Sequence, residues 1–358
     1  MAKPKDQSRR DFFKFAAGAL VIGGGVFFAG TLGHTRTIKQ IQKVAQKLPK
    51  VFKRLPPLPV DPAVKINGLS PLISPNKSFF QIDTGGGAPI IDPDTWTLKI
   101  DGMVKNPITV TYKDLLSRPL FELDNTLSCV SNPVGGLLVG NARWIGVRLD
   151  DLIREAMPTA RADQVLASSD DGFGAGFPLS VLDGRDAMIA IGMNGEVLPG
   201  KHGYPARLIV PGLYGYVSAT KWVTHIELTR FDIKQGYWIS QGWSALAPIK
   251  MGSRIDVPQQ GSQIAGGKTT IAGVAWAPDD GVSAVEVQVD NGEWVTASLG
   301  PELAATSWRQ WWLETDFNSG NHGVTVRARN SRGEVQTQTP ADVLPNGAQG
   351  WHSVNFSV

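Results

Sequence analysis

Apolar and polar residues alternate in short runs through most of the chain, the pattern of half-buried β-strands. Three such runs are residues 96–100, 108–112 and 207–210. Two other segments have helical spacing: residues 149–157, and residues 112–117, which form either a short helix or only a turn. The chain lacks both a regular βαβ alternation and a glycine-rich dinucleotide fingerprint. The pattern predicts a β-rich α+β domain over residues 69–245.

After Pro248 the strand-like runs continue without helical segments. Alternating strands are predicted at residues 269–276, 284–289 and 324–328. The Asn291-Gly292 pair predicts a two-residue hairpin turn, and residues 330–333 predict a second turn. Several short strands in succession indicate a β-sandwich of immunoglobulin type over residues 246–358. No cluster of titratable side chains is evident in it, so packing and dimerisation are its predicted roles.

The N-terminus carries a different pattern. Arg9-Arg10 followed by Phe12 resembles a twin-arginine export signal. Residues 15–33 are uncharged, and at about 1.5 Å per residue they just span a hydrocarbon core of roughly 30 Å. Because no cleavage site is evident, we expect residues 1–33 to remain as a transmembrane anchor in the membrane. The alternative is a cleaved signal with a mildly apolar core.

Residues 34–68 are predicted to form a basic linker. Residues 34–54 contain seven Lys and Arg side chains and no acid. Ile38 and Ile41 begin a helical apolar spacing, which favours a basic amphipathic helix on an anionic membrane surface. A solvated linker is the alternative. Basic residues flank the apolar stretch on both sides, so their charge does not fix its orientation.

Composition limits the classes of function. The chain has 358 residues, of which 42% are hydrophobic and 19% charged, as in globular proteins. The net charge of +3 is too small to indicate a nucleic-acid partner. No stripe of Lys and Arg interleaved with aromatic residues runs through the body of the chain. The five histidines show no zinc-ligand spacing.

The single cysteine, Cys129, is the main chemical feature. It ends an apolar run and precedes turn-forming residues, beginning with Ser131 and Asn132. One thiol cannot form an internal disulfide, so Cys129 is either a buried small hydrophobe or a reactive or metal-binding atom. A lone thiolate suits a metal whose other ligands come from a cofactor, because protein-only zinc or iron–sulfur sites need three or four side chains. The residues alone leave both interpretations open.

Four motifs follow one another between residues 128 and 222. They are Ser128-Cys-Val-Ser-Asn132, Gly140-Asn-Ala-Arg-Trp144, Lys201-His-Gly-Tyr-Pro-Ala-Arg207, and Val210-Pro-Gly-Leu-Tyr-Gly215 continuing to Lys221-Trp222. Together they resemble the sulfite oxidase family of molybdopterin enzymes, most closely its bacterial, exported, membrane-anchored members. The resemblance covers residues 70–358. It implies a molybdopterin-binding domain followed by an immunoglobulin-like dimerisation domain, and hence a homodimer.

The resemblance implies a cofactor and a catalytic residue. In this family a cysteine thiolate binds molybdenum directly, beside the dithiolene sulfurs of one molybdopterin and oxo or hydroxo groups. Molybdenum and molybdopterin are therefore the expected cofactors, and Cys129 the expected catalytic metal ligand, since a soft thiolate suits this metal. Twin-arginine export carries proteins already folded and is used for enzymes whose cofactor is inserted in the cytoplasm, which agrees with this assignment.

The resemblance also implies cofactor-binding residues. His202 and Arg207 match positions that hold the pterin and its phosphate, and Lys221 matches a second phosphate-binding element; a satisfied core histidine is the alternative for His202. The remaining matches are Phe79, Phe80 and Gln81, Asp171 with Asp170 as its alternative, and Ser218 and Thr220 with Ala219 as theirs. The choice among Ser218, Ala219 and Thr220 stays open because their loop is one residue longer than in animal sulfite oxidases.

Three departures from the family pattern concern the substrate. Ile82 stands where sulfite oxidases place an arginine, Pro133-Val134 stand where they place two more, and Trp243 aligns with an active-site tyrosine. A sulfite dianion would lose charge-assisted contacts worth roughly 1.5–3 kcal/mol each. Sulfite is therefore not the expected substrate. Val134, Leu137 and Trp243 predict a more apolar substrate pocket.

The combined prediction is a membrane-anchored, periplasmic oxidoreductase that exchanges an oxygen atom with a small oxo donor or acceptor. The methionine-sulfoxide-reducing branch lacks the same arginines, so a sulfoxide reductase working in the reducing direction is one alternative. A cofactor-free membrane-anchored binding module is an alternative of another class. The chain has no Cys-x-x-Cys-His haem motif and no second cysteine. Electrons would therefore pass to or from a separate partner, a cytochrome or a membrane subunit.

Overall fold

The computed structural model describes residues 48–83 and 87–358. The predicted export signal and anchor, and residues 34–47 of the basic linker, lie outside the described residues. Residues 48–54, the described end of the predicted amphipathic helix, are not helical, and Lys53 forms a β-bridge with Phe121. In the described ranges, no helix combines the length and the apolar character needed to cross a membrane.

The described residues form mainly strands. In chain order these are β1 (Thr97–Gly102), β2 (Ile108–Thr111), β3 (Phe121–Ser128), β4 (Val139–Arg148), β5 (Gln164–Ser169), β6 (Gly174–Pro178), β7 (Met188–Met193), β8 (Glu196–Val197), β9 (Arg207–Ile209), β10 (Val223–Thr229), β11 (Gly252–Val257), β12 (Gly267–Trp276), β13 (Val282–Val289), β14 (Trp294–Thr296), β15 (Ser298–Leu299), β16 (Arg309–Phe317), β17 (Asn321–Asn330) and β18 (His352–Ser357). The helices are α1 (Tyr112–Ser117), α2 (Leu149–Ala156), α3 (Gly215–Ser218) and α4 (Tyr237–Ser240), with 3₁₀ turns at Pro62–Val64, Leu179–Val181 and Gly200–His202.

Two sheets form the first part of the fold. One has the order β2-β1-β10-β5-β6, in which β1 and β10 run parallel, and the other has the order β3-β4-β7-β8 with β9 beside β7. Both sheets contribute to one apolar core, and α2 buries Leu149 and Leu152 completely in it. The short helices and the mixed sheets confirm the predicted β-rich α+β class.

Two further sheets form the second part. Their orders are β11-β12-β16-β15 and β14-β13-β17-β18, with antiparallel pairing throughout both. Ile271 and Trp311 of one sheet share an apolar core with Val285 and Val326 of the other, and all four side chains are fully buried. This packing of two sheets through their apolar faces is a β-sandwich, as predicted.

Two local predictions are decided by hydrogen bonds. Residues 112–117 form a helix rather than only a turn, because Thr111 and Asp114 form a reciprocal capping box at its start. The hairpin turn predicted at Asn291-Gly292 is shifted by one residue. Its central residues are Asp290 and Asn291, with φ of 50° and 59°, and the Gly292 N–H donates to Val289 O over 2.8 Å. Asp290 fixes this register by accepting the Gly323 N–H.

Buried hydrogen bonds join the sandwich to β3. The Thr126 hydroxyl accepts the Trp308 backbone N–H over 2.7 Å and contacts Asn141 Oδ1 at 3.0 Å. The Thr126 N–H in turn donates to Thr306 O. Thr126 is 1% exposed and Trp308 is 2% exposed, so water does not compete for these groups. The contact lies three residues before Cys129 and links its strand to the second part of the fold.

We expect Thr126→Val to lower the free energy of unfolding by about 1–3 kcal/mol, because valine fills the same space but leaves the buried Trp308 N–H without its acceptor. Urea titration measures the change. Thr296→Val on the exposed edge strand β14 is the matched control, with an expected change within about 0.5 kcal/mol. Equal changes in the two variants would contradict the proposed link.

Candidate active site

A single cleft brings together segments that are far apart in the sequence. Its empty space, including the open mouth, is about 1030 Å³. The lining residues lie in segments 79–83, 127–131, 169–173, 202–207, 215–222 and 238–243. Most of these segments begin or end a strand, so the sheets fix the backbone and the connecting loops supply the side chains.

Cys129 lies on the cleft wall immediately after β3. Its backbone N–H donates to Leu138 O over 2.9 Å, and its Sγ is 2.9 Å from Ser131 Oγ. Burial raises the pKa of the Cys129 thiol, while the hydrogen bonds from Ser131 oppose that shift. A coordinating metal ion deprotonates such a thiol outright. The position is therefore suited to metal ligation rather than to a free nucleophile.

Arg207 is the most informative cation of the cleft. It is 5% exposed and donates to His202 O over 3.0 Å and to Ala219 O over 3.1 Å. Its Nε has no hydrogen-bond partner among the described residues, and no carboxylate there pairs with it. Burial lowers the pKa of Arg207 to about 9. A buried guanidinium with free donor capacity facing a cleft fits an anionic ligand, such as the phosphate of a pterin cofactor.

The ring of Trp144 and the backbone around Gly203 hold Arg207 in place. The guanidinium carbon lies 5.0 Å from the centre of the Trp144 ring, a cation–π distance. Gly203 has a φ of 115°, and a Cβ there would lie only 2.9 Å from Arg207 Cβ. The glycine between His202 and Arg207 is therefore required by the turn that places both side chains at the cleft.

His202 is a neutral side chain with a defined tautomer. It is 2% exposed, and burial lowers its pKa. The ring Nε2 lies 2.7 Å from Asn76 O, and because a carbonyl only accepts, Nε2 carries the proton. Nδ1 is then a hydrogen-bond acceptor. Asn76 also accepts from Asn194 Nδ2 through its own side chain, so it is a positioning residue and not merely a turn former.

Lys221 is the second cation of the cleft. Its ammonium lies 4.5 Å from the centre of the Trp222 ring and pairs with the Asp83 carboxylate. Burial lowers the pKa of Lys221 to about 8, and the contact with Asp83 opposes that shift. Gln81 donates to the other Asp83 oxygen over 2.6 Å. The ammonium has three donors, so Lys221 can contact an anionic group while it stays paired with Asp83.

The remaining cofactor-binding predictions divide into two groups. Phe79, Phe80, Gln81 and Asp171 line the cleft, with the two phenylalanine rings stacked at 5.2 Å. Asp170 does not line it, so Asp171 is the residue in position. Ser218 and Thr220 do not line it either, whereas Ala219 does. The Ser218 hydroxyl instead donates to two backbone carbonyls within its own loop.

Of the three residues predicted to form an apolar substrate pocket, one lies at the cleft and two do not. Trp243 lines the cleft. Val134 and Leu137 do not, because the turn after Cys129 points away from it. A Cβ at Gly350 would lie 3.8 Å from Val134 Cγ2, so Val134 faces the C-terminal part of the chain. Leu137 is 74% exposed on the surface.

Three aromatic side chains form a wall of the cleft that sequence reasoning identified only in part. This aromatic wall consists of Tyr216, Trp238 and Trp243, with ring centres 5.8 Å apart for Tyr216 and Trp243 and 6.4 Å apart for Trp238 and Trp243. The Tyr216 hydroxyl donates to Ser244 O, which fixes its ring. Trp238 and Tyr216 lie in no helical or strand periodicity that singles them out from core residues.

Comparisons with known proteins show the family of the chain. Residues 85–238 match the family model of the oxidoreductase molybdopterin binding domain. The oxidoreductase YuiH of Bacillus subtilis is 30% identical over 166 residues, which cover 46% of this chain and 81% of that protein. Human mitochondrial sulfite oxidase is 28% identical over an alignment of 368 positions, covering 83% of this chain. The alignment spans 66% of the human protein, just under two thirds of its length.

A solved structure extends the likeness over the whole fold. The sulfane dehydrogenase SoxCD from Paracoccus pantotrophus superimposes with a TM-score of 0.70 at 22% identity, covering 98% of this chain and 96% of that chain. The two proteins therefore share a fold. Together with the sequence matches, this places the chain in the sulfite oxidase family of molybdopterin oxidoreductases. Its cofactor is molybdenum bound to molybdopterin, and a cofactor-free binding module is not supported.

The residues present fit that cofactor. Among the described residues, no cluster of three or more His, Cys, Asp and Glu side chains is placed to hold a metal ion, so Cys129 is the thiolate available to a metal at the cleft. Arg207 and Lys221 offer cationic donors for a phosphate, and His202 offers Nδ1 as an acceptor. These residues would hold the cofactor between them.

We expect Arg207→Gln to lower the molybdenum and pterin content at least about ten-fold, because the buried donors for an anionic group are lost. Metal analysis and a pterin assay on protein from its native host measure this. Arg230→Gln is the matched control, since Arg230 pairs with Asp232 on the surface, and we expect it to keep the full content. Retention of cofactor in Arg207→Gln would show that this guanidinium does not hold it.

Cys129→Ser separates metal ligation from cofactor anchoring. Wild-type protein should carry about one molybdenum and one pterin per chain, since one molybdopterin brings one metal. We expect the variant to keep the pterin, which Arg207 and Lys221 hold, and to lose activity because the soft thiolate is gone. Metal analysis, a pterin assay and turnover are compared in the same samples. A fully active Cys129→Ser protein would remove Cys129 from the site.

Proposed function

We propose that this protein is an extracytoplasmic molybdenum oxidoreductase that transfers an oxygen atom to or from a small, neutral oxo compound, and that sulfite is not its physiological substrate. The support is the distribution of charge in the cleft. Arg207 and Lys221 are the cationic side chains among the described lining residues, and His202 is neutral. Arg207 has free donor capacity for the anionic group of the cofactor, and Lys221 already pairs with Asp83.

The part of the cleft left for a substrate is apolar. Ile82 lines it with 49% exposure, and the aromatic wall supplies its largest surfaces. A dianion moving from water into such surroundings loses hydration without gaining charge-assisted hydrogen bonds. A neutral sulfoxide or similar oxide instead keeps its apolar substituents against Ile82 and the rings. The site therefore discriminates by desolvation rather than by direct repulsion.

The division of labour between cofactor and chain follows from the geometry. The bound cofactor supplies two-electron chemistry, with molybdenum alternating between its +6 and +4 states as an oxygen atom is exchanged. Cys129 supplies a thiolate whose electron donation helps to set the metal's potential. Arg207 and Lys221 neutralise anionic charge, and His202 keeps Nδ1 unprotonated for a donor on the cofactor. The aromatic wall excludes water from the remaining space.

Sulfoxide reduction is the second candidate, and the same apolar wall favours it. The sulfite oxidases among the relatives act on sulfite by their names, but the departure at Ile82 makes that substrate a poor expectation here. The metal site serves either direction, so the direction depends on the redox partner. We assign that role to a separate protein, a cytochrome or a membrane subunit, since the chain has one cysteine and no haem-attachment motif.

Export and assembly complete the proposal. Arg9-Arg10 and the uncharged stretch after them support twin-arginine export and an anchor on the periplasmic face of the membrane. A homodimer through the sandwich rests on the resemblance to the family. The observation that carries the catalytic proposal is that Arg207 and Lys221 are the only Lys or Arg side chains among the described lining residues, and it is independent of both.

The test compares substrates on the loaded enzyme. Sulfite is offered with an artificial electron acceptor, and alkyl sulfoxides are offered with a reduced viologen dye. We expect measurable sulfoxide reduction and a kcat/KM for sulfite that is at least about ten-fold lower than that of Ile82→Arg, because one charge-assisted contact accounts for roughly that factor. Efficient sulfite oxidation by the wild-type protein would overturn the proposal.

Ile82→Gln is the matched control for that gain. Glutamine is polar and of similar reach but adds no charge, so we expect its kcat/KM for sulfite to stay within about two-fold of the wild type. The comparison isolates the effect of the cation from the effect of polarity. Unchanged sulfite turnover in Ile82→Arg, with cofactor content also unchanged, would place Ile82 away from the substrate.

A further inference from the structure

The loop that carries Cys129 is held partly by its own hydrogen bonds. This cysteine loop comprises residues 129–138. Asn132 N donates to Cys129 O, Gly136 N donates to Pro133 O, and Leu138 N donates to Asn132 Oδ1 over 2.8 Å. These bonds define the shape of the turn, but they do not tie it to the rest of the molecule. Loops without such ties open locally at low cost in free energy.

The tie comes from the sandwich, through Arg254 on β11. Arg254 is 4% exposed, and its Nη1 donates to Gly136 O over 3.0 Å. Its Nη2 donates to Ser70 Oγ over 2.8 Å and its Nε to Asp256 Oδ1 over 2.6 Å. Asp256, 7% exposed, also accepts the Ser70 N–H over 2.9 Å. One buried guanidinium thus joins the cysteine loop to two other segments.

A second contact from the sandwich closes over the same loop. Gly135 has a φ of 76°, and a Cβ there would lie 2.3 Å from ring atoms of His352 at the start of β18. His352 Nδ1 accepts the Ile255 N–H over 3.0 Å, which fixes the ring plane. The His352 ring therefore packs directly against the loop backbone, and only glycine fits at position 135.

These contacts correct the expectation that the sandwich has no cluster of titratable side chains. Arg254, Asp256 and His352 form such a cluster, and it faces the loop of the metal ligand. We propose that the sandwich supports the active site: Arg254 is a positioning residue that fixes the cysteine loop and, through it, Cys129. A three-way fork of hydrogen bonds holds its target rigidly, since each bond restrains the others. The effect on the metal rests on the proposed role of Cys129 as its ligand.

The first test needs no activity. Hydrogen–deuterium exchange of the backbone amides in residues 129–138 is measured for wild type and Arg254→Gln. We expect exchange in the variant to be at least about ten-fold faster, because Gly136 loses its tie to the sandwich. Arg327→Gln is the matched control, as Arg327 is a half-buried arginine of the same sandwich whose partners are Glu286 and Trp294. It should leave exchange in the loop unchanged.

A second variant covers the case in which Arg254→Gln does not fold. Arg254→Lys keeps the charge beside Asp256 but cannot donate to Gly136, Ser70 and Asp256 in one fixed plane. We expect a folded protein with an intermediate increase in exchange. Unchanged exchange over the loop in a folded Arg254 variant, or an equal increase in Arg327→Gln, would overturn the proposal whatever the substrate proves to be.

The loaded enzyme supplies the second readout. Arg254→Lys should keep its molybdenum and pterin, which Arg207 and Lys221 hold, while the thiolate-to-metal absorption band and the reduction potential of the metal shift. A merely structural arginine would lower thermal stability without moving either. Faster exchange with no such shift would show that the loop does not control the position of Cys129 and would overturn the positioning role of Arg254. A loaded wild-type enzyme without a thiolate-to-metal band would instead count against the proposed role of Cys129 as the ligand.

Discussion

The structure depends on one unusual electrostatic arrangement, a buried arginine, Arg207, that has no anionic partner among the described residues. Arg207 is taken out of water, lies against the Trp144 ring and uses two of its donors on backbone carbonyls. Such a charge is costly unless an anion completes it. Arg207 therefore gives the cleft a strong preference for an anionic ligand beside its guanidinium group. The same part of the cleft contains the turn at Gly203, the neutral ring of His202 and the ammonium of Lys221. All three are consistent with an anionic ligand beside Arg207.

The metal end of the cleft needs a different solution, because a single side chain must be placed accurately from a loop. β3 delivers Cys129 to the cleft, but the turn after it continues away from the cofactor toward the second part of the fold. Residues of this turn, Gly135 and Gly136, then contact His352 and Arg254 of the sandwich. The sandwich thus stabilises the loop on the side away from the cleft and leaves the side that faces the cleft open to a ligand. The sequence of the sandwich predicts only packing and dimerisation. In the folded chain, the sandwich also supports the loop of the proposed metal ligand.

Sequence reasoning was most informative about residues that lie within short motifs. Cys129, His202, Arg207 and Lys221 were singled out because their motifs resemble those of the family, and the structure brings all four to one cleft. It failed where contacts depend on distant partners. Val134 and Leu137 were assigned to the substrate pocket because of their nearness to Cys129 in sequence, yet the turn carries them away from it. The tie from Arg254 to Gly136 joins residues 118 positions apart, and no local periodicity encodes such a pairing.

The same distribution of side chains explains how one family fold can serve different substrates. The cofactor end of the cleft is cationic and fixed by the backbone turns around residues 203 and 219, so it has little freedom to vary. The substrate end is made of side chains on loops, among them Ile82 and the aromatic wall. Exchanging an arginine for Ile82 changes the desolvation balance for an anion without touching the residues that hold the cofactor. Under the proposed function, specificity and cofactor binding are therefore separable, and the identity of a few loop residues would decide which oxo compound reacts.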